Sequence, residues 1–114
     1  MSLPAAYSRI LSGQGISMME AFHTEDIALT ADDAIAAAQT LVGERVAVIG
    51  GDVFYNTANG FELACATWYC KPAVGETVDA FVTRSVQETC DYVRRFPTVP
   101  GKTALFALVV AQVF

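Results

Sequence analysis

Histidine is almost absent from this chain of 114 residues: His23 is the single example. A Cys–His nucleophile pair would have to draw on it, yet it lies in the least regular stretch, beside Thr24-Glu25-Asp26. We read it as an exposed loop residue. Cysteine is scarce and odd in number, with only Cys65, Cys70 and Cys90, which argues against a disulfide framework. Zinc-site spacings are missing too, since neither C-x-x-C nor H-E-x-x-H occurs. No metal and no other cofactor is expected. If Cys65 and Cys70 share a strand they face opposite sides of it, and buried, reduced thiols are the expectation for the cysteines.

Positive charge is also in short supply. Lys and Arg total 7 against 12 Asp and Glu, giving a formal net charge of −5. Phosphate binding needs clustered Lys and Arg, so nucleic acid is not an expected partner. An acidic balance instead suits a basic partner, because opposite fields speed encounter. Long apolar runs are missing: the longest, Ala104 to Ala111, falls well short of the roughly 20 residues that span a bilayer. The N-terminal residues show no basic stretch, apolar run and small-residue cleavage site in sequence. Cytoplasmic residence without a membrane partner is therefore expected. Phosphate-loop and dinucleotide fingerprints do not occur either.

The chain does have apolar residues, at 54% against 17% charged. That excludes disorder, and the length suits one domain over residues 1–114 with one real core. Pro4 to Ser12 can form a short helix with Tyr7, Ile10 and Leu11 on one face, ended by Gly13. Gln14 to His23 shows no clear pattern. Thr30 caps a helix over about residues 31–42, whose first turn carries Asp32 and Asp33 at the positive end of the dipole. Val78, Phe81, Val82, Ser85, Val86, Thr89 and Val93 form one apolar stripe within a long helix from Glu76 to Phe96. Ser85 would allow close approach to a sheet, and Asp91 can pair with Arg95 one turn on.

Val46 to Tyr55 and Phe61 to Tyr69 read as strands joined by an Asn59-Gly60 hairpin turn. That register sets Ala58 opposite Phe61, Phe54 opposite Cys65, Asp52 opposite Thr67 and Gly51 opposite Trp68. It explains Gly51, whose missing side chain makes room for an indole, and sets Asp52 beside a threonine hydroxyl. A bulge at Gly50-Gly51 would shift the last two pairs. Thr103 to Phe114 is apolar apart from Thr103 and Gln112, as a strand covered on both faces would be. The expected architecture is α+β. A small, mostly antiparallel sheet of about three to four strands carries the long helix on one face, and N-terminal helices cover the remainder.

Candidate binding residues follow from this layout. Asp52 sits at a glycine-marked strand bend, where such an acid could hold a metal, although satisfying local backbone N–H groups is the expectation. Trp68, with Tyr69, could serve a binding surface, although core packing is the expectation for both. Glu20, Glu25, Asp26, Asp32 and Asp33 gather around the first long helix, as an acidic docking face or as solvated helix caps.

Several segments together resemble the immunity protein 40 family of bacterial polymorphic toxin systems. They are Ile27-Ala28-Leu29-Thr30 leading into Ala34-Ile35, Val48-Ile49-Gly50-Gly51-Asp52-Val53, Trp68-Tyr69-Cys70, and Arg84-Ser85. The resemblance reaches from about Ile27 to Phe96. Before Trp68 this chain has Ala64-Cys65-Ala66-Thr67, more apolar than the acidic approach of that family. The resemblance implies a non-enzymatic protein that binds a cognate toxin and covers its active site or a nearby surface. It implies no particular contact residues. Two other classes stay open: a small-molecule-binding or subunit-association module using the Gly50-to-Asp52 bend and Trp68, and a cysteine-dependent enzyme. Association with a second copy stays open as well.

Overall fold

The computed structural model describes residues 2–114. The chain runs α1 (Ala5–Gln14), β1 (Ile16–Ser17), α2 (Met19–Phe22), β2 (Ile27–Leu29) and α3 (Ala31–Gln39). It continues through β3 (Val46–Thr57), β4 (Gly60–Tyr69), α4 (Val78–Arg95) and β5 (Lys102–Gln112). Helix α1 passes through Gly13, the expected stop, and closes where the Gly15 N–H bonds the Leu11 carbonyl. The patternless stretch after it holds β1 and α2, which at 2 and 4 residues are too short to leave a periodicity. Thr30 caps α3 as expected, its hydroxyl accepting the Asp33 N–H at 3.4 Å. That helix stops at Gln39 rather than at 42 and passes into a turn.

All strands join one antiparallel sheet in the order β1-β2-β5-β3-β4. The α+β expectation is met, but the sheet has five strands rather than three to four. The difference is the two short N-terminal strands. β5 lies between β2 and β3, so its apolar run belongs to a central strand, not to an edge.

The β3–β4 hairpin turns one residue earlier than expected. Thr57 faces Gly60, which leaves Ala58-Asn59 as the turn. Asn59 does not take positive φ, whereas Gly60 does at 109°. The Thr57 hydroxyl organises the turn by accepting the Asn59 N–H at 3.1 Å and donating to the Gly60 carbonyl at 2.7 Å. Phe54 therefore pairs with Leu63, not with Cys65. The pairs Asp52–Thr67 and Gly51–Trp68 nevertheless form as expected. A bulge restores the count, because β4 takes the four steps from Leu63 to Thr67 while β3 takes two from Phe54 to Asp52.

Helix α4 starts at its cap Thr77, whose hydroxyl accepts the Ala80 N–H at 3.2 Å. It buries Phe81, Val82, Ser85, Val86, Thr89, Cys90 and Val93, much as the stripe required. Ser85 allows close approach and does more. Its hydroxyl donates to the Val82 carbonyl at 2.8 Å and accepts the Val48 N–H at 3.1 Å. That amide lies where the ladder from β3 to β5 is interrupted, between Val48 and Gly50. Asp91 pairs with Arg94 at 3.9 Å rather than with Arg95, whose Nε donates to the Asp91 carbonyl.

Helices α1, α3 and α4 pack on one face of the sheet. Tyr7, Leu41, Trp68, Phe81 and Phe106 belong to the core between them. The outer face gets only α2 and the residue before it, Met18, which with Phe22 packs over Ala28, Phe54, Leu105 and Ala107. The expectation that both faces of β5 are covered is met only in part. Val109, whose neighbour across the ladder is Gly50, remains 39% exposed.

Candidate functional site

Strand alternation decides what the outer face presents. On β3, Gly51 and Val53 point at the helices, so Asp52 and Phe54 point away from them. Across the ladders Asp52 faces Ala107 and Thr67, and Phe54 faces Leu105 and Leu63. Phe22 from α2 stacks on Phe54, with ring centroids 5.4 Å apart. Beyond this short clamp the face is bare. Leu63 is 58% exposed and Tyr69 76%, so the expectation that Tyr69 lines the core is corrected.

The β4 bulge shapes the surface. Cys65 sits there at φ 55°, and it is exposed where a buried thiol was expected. The irregular segment borders a groove of about 450 Å³ whose walls include Phe22, Phe54 and Leu63 and whose polar groups include Thr24, Asp26 and Asp52. A smaller depression of about 180 Å³ lies between Ile49, Tyr69 and Val109. Asp52 and Thr67 line both concavities. The Thr67 hydroxyl turns to the Gly51 carbonyl at 2.6 Å, so the expected Asp52–threonine neighbourhood exists without that hydroxyl serving the carboxylate. Among the described residues no salt bridge reaches Asp26 or Asp52, and neither concavity is lined by Lys or Arg.

The remaining candidate residues are dispersed. Glu25 is exposed between Thr24 and Asp26, beside the larger groove. Asp33 exchanges hydrogen bonds with Thr30 at the start of α3. Asp32 lines a different cleft of about 570 Å³ together with Tyr55, Arg94, Phe96 and Lys102. Trp68 is 7% exposed on the helix side. Its indole N–H donates to the Thr89 hydroxyl at 3.2 Å and its ring stacks on Tyr92 at 4.6 Å. Asp52 and Glu25 thus share a side of the molecule, while Trp68 supports the sheet from beneath. Sequence reasoning passed over Leu63 and Val109, and weighed Tyr69 only as a core residue or a possible binding aromatic. The available signal was that β4 and β5 are apolar in both phases of the alternation.

The remaining thiols, Cys70 and Cys90, are buried. Burial first, then the Glu88 carboxylate, pushes Cys70 up to about 11, and burial also raises Cys90. Such groups stay protonated near neutrality and make poor nucleophiles. Among the described residues no group of three His, Cys, Asp or Glu side chains is placed to hold a metal ion.

The family model of immunity protein 40 matches residues 15–110. This chain belongs to the immunity protein 40 family. The match takes in β1 through nearly all of β5, and hence the outer face with Asp52, while α1 lies before it. The resemblance read from residues 27–96 is therefore part of a longer likeness. No curated protein and no solved structure matches the chain significantly.

Proposed function

We propose that this immunity protein 40 member neutralises a cognate bacterial toxin by binding it directly, covering the toxin's active site or a surface next to it. Membership of an immunity protein family over residues 15–110 is the observation that carries the reading. It needs no chemistry from this chain, and the protonated, buried Cys70 and Cys90 suit a non-enzymatic role. Unlinked cysteines are compatible with a reducing cytoplasm, and no described helix is long and apolar enough to cross a membrane. A basic toxin surface is the natural complement to a net charge of −5. Asp52 and Glu25 are the proposed contacts among the candidate residues.

The test is co-expression with the C-terminal domain of the polypeptide encoded immediately upstream. Restored growth of the toxin-expressing cells, together with a one-to-one complex after purification, is the expected result. Continued killing with no complex would overturn the reading. A second reading has one observation in its favour: the outer groove lies within the ~300–1,000 Å³ typical of small-molecule sites. Native mass spectrometry that finds a small molecule retained by the purified chain, with no effect on toxin, would favour it.

A further inference from the structure

We infer that the toxin seats on the outer sheet face, with an Arg or Lys side chain of the toxin placed against Asp52 and Asp26. The inference rests on the toxin-binding reading and adds the surface and the chemistry of recognition. Asp52 lies on the ridge between the two concavities of that face. A cation arriving there would lay its alkyl stem along Phe22 and Leu63, as long basic side chains do over apolar surface, while the carboxylates take its charged head. Apolar toxin residues settling on Leu63, Tyr69 and Val109 would exclude water from around the pair. Partial desolvation is what makes a central charge pair worth more than a rim pair.

Charge distribution separates this face from the rest of the molecule. Glu20, Glu25 and Asp26 fall in a stretch without Lys or Arg, and neither concavity has a base of its own to satisfy Asp52. On the helix layer three acids on or just before α4 are already answered, while Asp79 in its first turn has no base in reach among the described residues. Arg84 binds Glu76 and Glu88, and Arg94 reaches Asp91. On β5, Lys102 is taken by Glu62 at 2.8 Å. An approaching basic surface would therefore be drawn to the side with uncompensated carboxylates. Face-on docking is favoured over strand addition at the β4 edge, because the bulge at Cys65 breaks the regular row of backbone groups a new strand would need.

The experiment titrates the same upstream-encoded toxin domain into wild-type chain and into the Asp52→Lys, Asp52→Asn, Leu63→Lys and Asp79→Lys variants, by calorimetry at two salt concentrations. Thermal melts confirm that each variant is folded, and Leu63→Lys, at an exposed position, keeps the test open should Asp52→Lys fold poorly. Asp52→Lys is expected to weaken binding by roughly 30-fold or more, and Asp52→Asn to weaken it less while flattening the salt dependence. Leu63→Lys is expected to cost about tenfold. Asp79→Lys makes the same charge change on α4 and is expected to stay within about twofold. A wild-type complex that Asp52→Lys and Leu63→Lys leave unchanged overturns the surface and spares the immunity reading. A wild-type chain that binds no toxin removes both. A chain that dimerises, and does so through Asp52 and Leu63 in place of toxin, makes a second copy the occupant and also overturns the inference.

Discussion

A Cβ atom built on Gly51 would collide with Cη2 of the Trp68 indole and lie 2.6 Å from the Ala107 carbonyl oxygen. The indole is held from the other side by Tyr92, at 4.6 Å between ring centroids, and by its bond to Thr89. It has no free direction in which to retreat. Gly51→Ala is therefore expected to destabilise the fold by ~1–3 kcal/mol, the usual cost of overpacking a well-filled site. Urea unfolding followed through Trp68, the only tryptophan, would measure it, and an unchanged midpoint would show that the indole yields freely. This contact was legible in the sequence, although the counting that found it began from the wrong turn. The count succeeds because the bulge in β4 offsets the displaced hairpin turn. The bulge itself was not legible, since nothing in Ala64-Cys65-Ala66 marks a residue that takes φ 55°.

At the scale of elements, α4 was the most readable part of the chain, and its attachment to the loop before it was the least. Arg84 bonds both oxygens of Glu76 at 2.8 Å, reaches Glu88 at 3.1 Å and caps the Lys71 carbonyl. Glu76 also accepts the Ala73 N–H at 2.9 Å. The Arg84 guanidinium, followed by that amide, holds the Glu76 carboxyl down at about 2 from its ordinary 4.5. A carboxyl lowered in the folded state stabilises the fold above its unfolded value, and that contribution disappears as pH falls through the folded value. Glu76 should therefore support the fold fully above pH 4.5 and lose its contribution between about 4.5 and 2. Glu76→Gln is expected to flatten the acid limb of a plot of melting temperature against pH in that window. Parallel acid limbs for the two proteins would sink the assignment. Local periodicity encodes a helix, but a pairing eight residues apart across a loop leaves no period to read.

Taken whole, the molecule is built asymmetrically about its sheet. Three helices close one face, and a single short helix clamps part of the other. Truncations should register the difference. Phe81→Ala and Phe106→Ala, both beneath the helices, are expected to cost ~3–5 kcal/mol as large-to-small core changes do. Leu63→Ala and Val109→Ala, on the outer face, should cost under about 1 kcal/mol because much of each side chain already meets water. Guanidinium unfolding of the four variants makes the comparison, and equal costs on both faces would mean the outer face is packed after all. An apolar face retained at little cost to the folded monomer is consistent with a surface kept for a partner.

The sequence by itself determined the α+β class, α3 with its Thr30 cap, the buried stripe of α4 and the reason for Gly51, because each rests on short-range periodicity, capping or cross-strand counting. It also carried the family likeness, in short segments that the longer match over residues 15–110 contains. Only the tertiary structure decided which apolar residues are left uncovered. Leu63 and Val109 read like core residues in the chain, and they become surface because just one helical turn, Met19–Phe22, is available to cover their side of the sheet. Gathering Asp52 with Asp26 while dispersing Asp32, Asp33 and Trp68 was a tertiary decision as well. Strand order and bulge geometry set that outcome, and both depend on contacts between residues far apart along the chain.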